Sequence, residues 1–220
     1  MVEELGISDE KVEVVYNGVD LEEFHIFDSK IIEDEKKRYG FFEGSRIIGF
    51  HGRLHKEKGL NVLIDAFYQI SRRFDHLYLL FVGDGPERKK LEDQVSSYSL
   101  EKKVIFLGHR DDVPLFLNLL DIFVLPSVVR ESFGISIIEA MACGKVVIGS
   151  NLGGIPEIIK DEVNGFLFNP GDENNLVDKL SRVLSDDNLK ERIISSALID
   201  VRQRFSSDAM IKNLERILNK

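Results

Sequence analysis

In the stretch RESFGISIIEAMACG, Arg130 to Gly144, two carboxylates bracket a Phe-Gly pair: Glu131 before it and Glu139 after it. Glu139 interrupts an apolar run of Ile137, Ile138, Ala140, Met141 and Ala142. On a helix its neighbours three and four positions away are Ile135, Ser136, Ala142 and Cys143. None is a base, so no same-helix ion pair can form. A carboxylate on an apolar helix is costly until something else satisfies it. A second group of polar residues lies in HGRLHKEKG, residues 51–59, where Arg53, Lys56 and Lys58 precede an apolar helical pattern. Lys56 reads as an ordinary surface charge, whereas Arg53 and Lys58 could equally face a ligand. Ser132-Phe133-Gly134 opens the helix of Glu139. Its free amides and positive dipole end, opposite two cations, make an anion site of the phosphate-binding kind. Gly134, without a Cβ, lets a ligand approach the backbone. Glu139 then lies about 7 Å along the helix axis, a reach that suits the vicinal diol of a ribose beyond a diphosphate. Glu131, outside the helix, faces the other side. A nucleoside diphosphate bearing a hydroxyl-rich group satisfies all four features together.

Both loops follow short apolar runs. Such runs occupy residues 47–50, 77–82, 104–107, 122–125 and 146–148, with a weaker one at 165–168. Few polar residues interrupt them, as expected of parallel strands covered on both faces. Between them lie helical stripes: Leu60, Leu63, Ile64, Phe67 and Ile70, then Leu91, Val95 and Tyr98. This alternation predicts a doubly wound parallel α/β sheet with right-handed crossovers. With strand order 3-2-1-4-5-6, ligands bind where the order reverses, at the exits of the first and fourth strands. Those exits are residues 51–59 and 126–134, the two loops that carry the chemistry. After Phe168 the pattern stays helical, with stripes at Leu176, Leu180, Val183 and Leu184, and at Met210, Ile211, Leu214, Ile217 and Leu218. Before Arg46, KVEVVYNGVD alternates like a strand running into a turn at Asn17-Gly18, and residues 30–39 read as a charged helix. The expected layout is a lead-in over residues 1–45, a binding domain over 46–205 and a C-terminal helix over 206–220.

Composition narrows the function. The 220 residues can bury a sizeable core. A net charge of −9 argues against a general nucleic-acid surface, so any anion site must be local. The single cysteine, Cys143, allows no internal disulfide and reads as a small buried hydrophobe. His25, His51, His55, His76 and His109 lack metal-ligand spacing, although His51 and His55 could touch a ligand in their loop. No apolar run is long enough to span a membrane and the acidic N-terminus is no signal peptide, which predicts a soluble, cytoplasmic protein. GDGPER, residues 83–88, contains G-x-G but follows the second strand, so it reads as a tight turn bordering the crevice. The adjacent glycines of NLGGIP, residues 151–156, suit a turn or a close ligand approach.

Taken in order, YNGVDLEEF, GRLHKEKGL, VGDGPE, FLGHR, PSVVRESFGISIIEAMACGK, NLGGIPEII and NGFLFNPGD resemble the C-terminal half of a retaining GT-B glycosyltransferase, in the glycosyl transferases group 1. The resemblance covers residues 12–215, and Glu131 with Glu139 reproduces the group's E-x7-E signature. It implies a Rossmann-like, donor-binding half of a two-domain enzyme that transfers a hexose from a UDP- or GDP-sugar, without a metal or other cofactor. By position, Arg53 and Lys58 would hold the diphosphate, with backbone amides from Phe133, Gly134 and Ile135. Glu139 would take the ribose hydroxyls and Glu131 the transferred sugar, so that Glu131, Arg53 and Lys58 carry the catalytic roles. Gly108, His109 and Arg110 would border the base. The resemblance further implies an N-terminal acceptor-binding domain as partner. Without it this half would be inactive, and the last helix would leave an apolar stripe uncovered. Any association with the inner face of a membrane would belong to the full-length enzyme.

Two features depart from the group's pattern. Val146 stands where a proline is usual, and PSVVRE is one residue longer than the common spacing, which leaves the height of Glu131 open. A GT-B sugar-nucleotide epimerase and a degenerate, non-catalytic half serving in regulation or assembly are the rival readings. The Phe-Gly pair between the glutamates speaks against the first. The presence of Arg53, Lys58, Glu131 and Glu139 speaks against the second.

Overall fold

The computed structural model describes residues 12–219. Six strands form one parallel sheet: β1 (Arg46–His51), β2 (Leu77–Val82), β3 (Val104–Gly108), β4 (Ile122–Leu125), β5 (Val146–Ser150) and β6 (Phe166–Phe168). Their order is β3-β2-β1-β4-β5-β6, the doubly wound arrangement that the apolar runs predict. Every residue of β4 and β5 is buried, as central strands covered on both faces must be. Ile48 is the hinge of the register, opposite Leu79 on one side and Ile122 on the other.

The helices fall into two packed groups. α2 (Leu60–Ile70) packs on α3 (Arg88–Ser97) and on α7 (Glu173–Ser185). α4 (Val113–Leu119) packs on α1 (Ser29–Arg38) and on α5 (Ile135–Ala142), and α5 packs on α8 (Asp187–Arg204). This grouping follows from right-handed crossovers that run outward from the middle strands in both directions. A four-residue turn of helix, α6 (Ile155–Ile158), joins β5 to β6, and α9 (Ser207–Leu218) ends the described chain. Cys143 is fully buried, and burial pushes its thiol up to about 12, in keeping with a packing role.

A polar cluster fixes the opposite end of the sheet. Asp121 accepts the Ile47 amide at 2.9 Å and pairs with Lys190 at 2.9 Å. Burial pushes the Asp121 carboxyl up, but Lys190 and Lys36 outweigh it, so its pKa stays below the ordinary value. Nearby, Asn118 accepts the Phe27 amide at 3.0 Å and donates to the His25 carbonyl at 2.9 Å, which fastens the lead-in to α4. Lys145 donates to the Asn118 carbonyl at 2.9 Å.

The lead-in departs from the sequence reading. Residues 12–18 form no strand, and Val19 makes one isolated bridge, to Ser206. Lys11, the first residue of the alternating stretch, lies outside the described residues. The physical reason is that alternation needs one face to bury. Here Val12 and Val14 are both exposed, while Tyr16 and Val19 supply the packing. Tyr16 stacks on Phe133 at 5.7 Å and meets Phe205 edge-on, which lays the lead-in against the β4–α5 loop.

Candidate functional site

β1 and β4 are neighbours at the middle of the sheet, so their exit loops must lie side by side. Several contacts join the two loops. The Val128 amide donates to the Glu57 carbonyl at 2.9 Å. Gly59 has φ +62, and a Cβ there would sit 2.2 Å from the Pro126 carbonyl oxygen, so only glycine allows this approach. Lys58 Nζ reaches Glu131 Oε2 at 2.5 Å, and the Ser127 hydroxyl adds a bond to the same oxygen at 3.2 Å. Two more loops back these. The Leu54 amide bonds the Asp84 carbonyl at 2.9 Å, placing the GDG turn beneath Arg53, and the Gly154 amide bonds the Glu131 carbonyl at 2.8 Å. The longer PSVVRE spacing therefore still holds Glu131 at the crevice, in an ion pair with Lys58.

α5 begins at Ile135 behind Gly134, whose φ of 105 reverses the chain into the helix. No side chain caps this end, which leaves the Ile135 and Ser136 amides without helical acceptors and the dipole's positive end open. On the next turn Glu139 projects toward β1. Its Oε2 is enclosed and lies 3.4 Å from His51 Nδ1, yet the two are not aligned for a hydrogen bond and neither atom makes one elsewhere.

Two cavities meet here. One, of about 400 Å³, is lined by Arg53, Lys58, Glu131, Phe133, Gly134, Ile135 and Glu139, and also by Asn17, His51, Gly52, Ser132 and Ser136. The other, of about 340 Å³, is lined by His51, Gly52, Arg53, Val82, Gly83, Asp84, His109, Arg110 and Val113. They share His51, Gly52 and Arg53, and so form one continuous crevice. Arg53 is exposed, with no ion pair or hydrogen bond to its side chain among the described residues. Arg110, in contrast, is held by two bonds to Asp112, of 2.9 and 2.8 Å, which raise its pKa above and lower that of Asp112 below the ordinary values.

The structure brings most of the sequence-predicted residues together, with two exceptions. Gly108 lies at the end of β3, where its carbonyl accepts the Gly83 amide at 2.8 Å, and it lines neither cavity. His55 pairs with Glu57 at 3.4 Å and also stays out of the crevice. Phe133 lines the cavity while its ring stacks on Tyr16. Ser132 enters the sequence reading only as the start of the Glu139 helix and Asn17 only as a turn residue, and Ser136 carries no signal. Asn17 reaches the rim because Tyr16 anchors the segment beside it. Among the described residues no group of three or more His, Cys, Asp or Glu side chains is placed to hold a metal ion, and no helix is long and apolar enough to cross a membrane.

Comparison with known proteins agrees with this geometry. The sequence profile described as Glycosyl transferases group 1 matches residues 31–198. N-acetyl-alpha-D-glucosaminyl L-malate synthase of Bacillus anthracis is 33% identical over 214 residues, covering 97% of this chain and 55% of that protein. An uncharacterized glycosyltransferase of Methanocaldococcus jannaschii, MJ1607, is 37% identical over 209 residues, 93% of this chain and 53% of its own length. The chain thus spans about half the length of the curated relatives it matches. Among solved structures, Anabaena Alr3699/HepE in complex with UDP superposes with a TM-score of 0.92 at 30% identity, covering 99% of this chain and 60% of HepE. With the profile matched over most of its length and the six-stranded sheet shared with such structures, this chain belongs to the glycosyl transferases group 1 family.

Proposed function

We propose that this chain is the donor-binding half of a retaining glycosyltransferase that transfers a hexose from a nucleoside diphosphate sugar, with UDP as the leading nucleotide. The observation that carries the reading is the continuous crevice in which an unpaired Arg53 faces the uncapped N-terminus of α5, with Glu139 one turn further in. HepE, which shares the fold at 30% identity, has been solved with UDP and with UDP-glucose, and this favours a uridine nucleotide.

In this reading the diphosphate lies between Arg53, Lys58 and the amides of Ile135 and Ser136. The ribose extends toward Glu139 and the base toward the cavity of Asp84, His109 and Arg110. The sugar sits beside Glu131. Transfer breaks the bond from the sugar C1 to the diphosphate oxygen and forms one from C1 to the acceptor oxygen on the same face, while the acceptor hydroxyl's proton passes to the departing diphosphate. Negative charge grows on the departing diphosphate, which this reading sets among Arg53, Lys58 and the helix amides. Such preorganised donors typically contribute about 3 kcal/mol each to the barrier. The acceptor is assigned to a partner domain, which the relatives' greater length makes room for.

Titration of the chain with UDP, GDP and ADP, followed by isothermal calorimetry or shift changes, tests the reading. Half a site suggests a dissociation constant on the order of 1 mM. Binding of UDP in that range, weakened about tenfold or more by Arg53→Ala, supports it. No binding of any nucleoside diphosphate, or an Arg53→Ala variant with the parent affinity, contradicts it.

A further inference from the structure

His51 ends β1 at the point where the two cavities join, and it lines both. Its Nδ1 faces Glu139 Oε2 across 3.4 Å, and both atoms are enclosed without a hydrogen bond. An enclosed donor and an enclosed acceptor left unmade are each costly. Here the two confront each other, so a small turn of ring or carboxylate would close them to an aligned bond of about 2.9 Å. None of the Glu139 helical neighbours Ile135, Ser136, Ala142 and Cys143 is a base, and the Ser136 hydroxyl makes no bond to the enclosed Glu139 oxygen.

We infer that His51 is a positioning residue for Glu139: its Nδ1–H holds the inner carboxylate oxygen so that the outer one is presented to the ribose diol of the nucleotide. The inference rests on the proposed role of Glu139 and adds the group that orients it. A carboxylate with no fixed donor rotates about its last bond and offers its oxygens in any direction. One donor on the inner oxygen removes that freedom and commits the outer oxygen to the crevice. The arrangement is the same in kind as a base held by a further residue in the correct orientation. No spacing rule connects a residue at a strand end to one on a later helix, and the pair exists only because β1 and β4 are adjacent.

The test compares UDP with 2′-deoxy-UDP in shift titrations of the whole chain, for the parent, His51→Asn and His51→Leu. Asparagine keeps an N–H donor close to the place of Nδ1, and leucine keeps bulk without a donor. Thermal unfolding confirms that each variant is folded, and His51→Ala takes the place of the leucine variant if that one is not. The parent is expected to prefer UDP by about tenfold, the effect of one hydrogen bond to a charged group. His51→Asn should retain that preference to within about threefold, and His51→Leu should lose most of it. A folded leucine variant that keeps the parent's preference overturns the inference, as does an asparagine variant that loses it equally. A parent that binds both nucleotides alike contradicts the ribose role of Glu139 itself. A parent that discriminates, together with a His51→Leu variant that discriminates equally well, contradicts the role of His51 alone.

Discussion

Lys58 and Glu131 lie 2.5 Å apart, so the crevice contains a neutralised pair beside Arg53, which has no charged partner among the described residues. Both members are partly exposed, and a pair of this kind is worth at most about 1 kcal/mol. An arriving diphosphate can therefore compete for Lys58 at little cost. It follows that Glu131→Gln, which frees Lys58 and removes a negative charge from the site, should tighten UDP binding by roughly threefold. If Glu131 also holds the sugar, the same variant should lower the preference for UDP-sugar over UDP. Calorimetry with both ligands reads the two effects together, and weaker UDP binding by the variant would place Glu131 elsewhere in the mechanism. Most of these residues were legible from chemistry and spacing: two cations after one strand, two carboxylates around a Phe-Gly pair after another. Asn17 was not, and His51 was legible as a loop residue able to touch a ligand but not as the neighbour of Glu139. Their place in the crevice depends on which strands are neighbours and on an aromatic stack between Tyr16 and Phe133, neither of which leaves a periodic mark in the chain.

At the scale of elements, the charged end of the sheet opposite the crevice has a measurable pH signature. Burial pushes the Lys145 amine down from 10.5 to about 8, partly offset by Asp121. Between those values the unfolded chain holds a proton that the folded one has released. Unfolding free energy from this group therefore rises with pH across the window, by about 3 kcal/mol in all. Below pH 8 the folded state bears the full cost of an enclosed charge. Chemical denaturation of the parent and of Lys145→Met at pH 7.5 and pH 10 isolates this contribution, because other groups titrate in both. The parent should gain relative to the variant as pH rises, and equal slopes would mean that Lys145 is not shifted. The strands themselves were readable as apolar runs because buried parallel strands tolerate few polar residues, and β1 to β6 lie within two residues of those runs. The alternating residues 12–16 misled for a related reason. Alternation identifies a strand only where one face is buried, and here it is met by two exposed valines, one packed tyrosine and no partner strand among the described residues.

Across the whole molecule, the two ends of the described chain meet. Val19 bridges Ser206: the Val19 amide donates to the Phe205 carbonyl at 2.8 Å, and the Val19 carbonyl accepts the Ser207 amide at 3.0 Å. The next helix, α9, is amphipathic in sequence yet has no buried residue, with Ile211, Leu214 and Leu218 exposed. Because the relatives are nearly twice as long, we propose that a further domain covers this stripe in the full-length enzyme. The paired substitution Ile211→Ser and Leu214→Ser should then change the stability of this chain by no more than about 0.5 kcal/mol. A large loss in thermal unfolding would show that the stripe already packs within the chain. The overall winding was legible from the alternation of strands and helices, since right-handed crossovers leave few topologies. The covering of α9 was not, because a stripe records that a face is apolar and not what lies against it.

The central claim is that β1 and β4 deliver a diphosphate site between Arg53 and the start of α5, with the ribose on Glu139. A crystal structure of the chain with UDP measures this most directly. The expected result is a diphosphate within about 3 Å of the Arg53 guanidinium and the Ile135 and Ser136 amides, with the ribose hydroxyls on the Glu139 carboxylate. Nucleotide density outside the crevice, or Glu139 turned to bulk solvent beside a bound nucleotide, would contradict it.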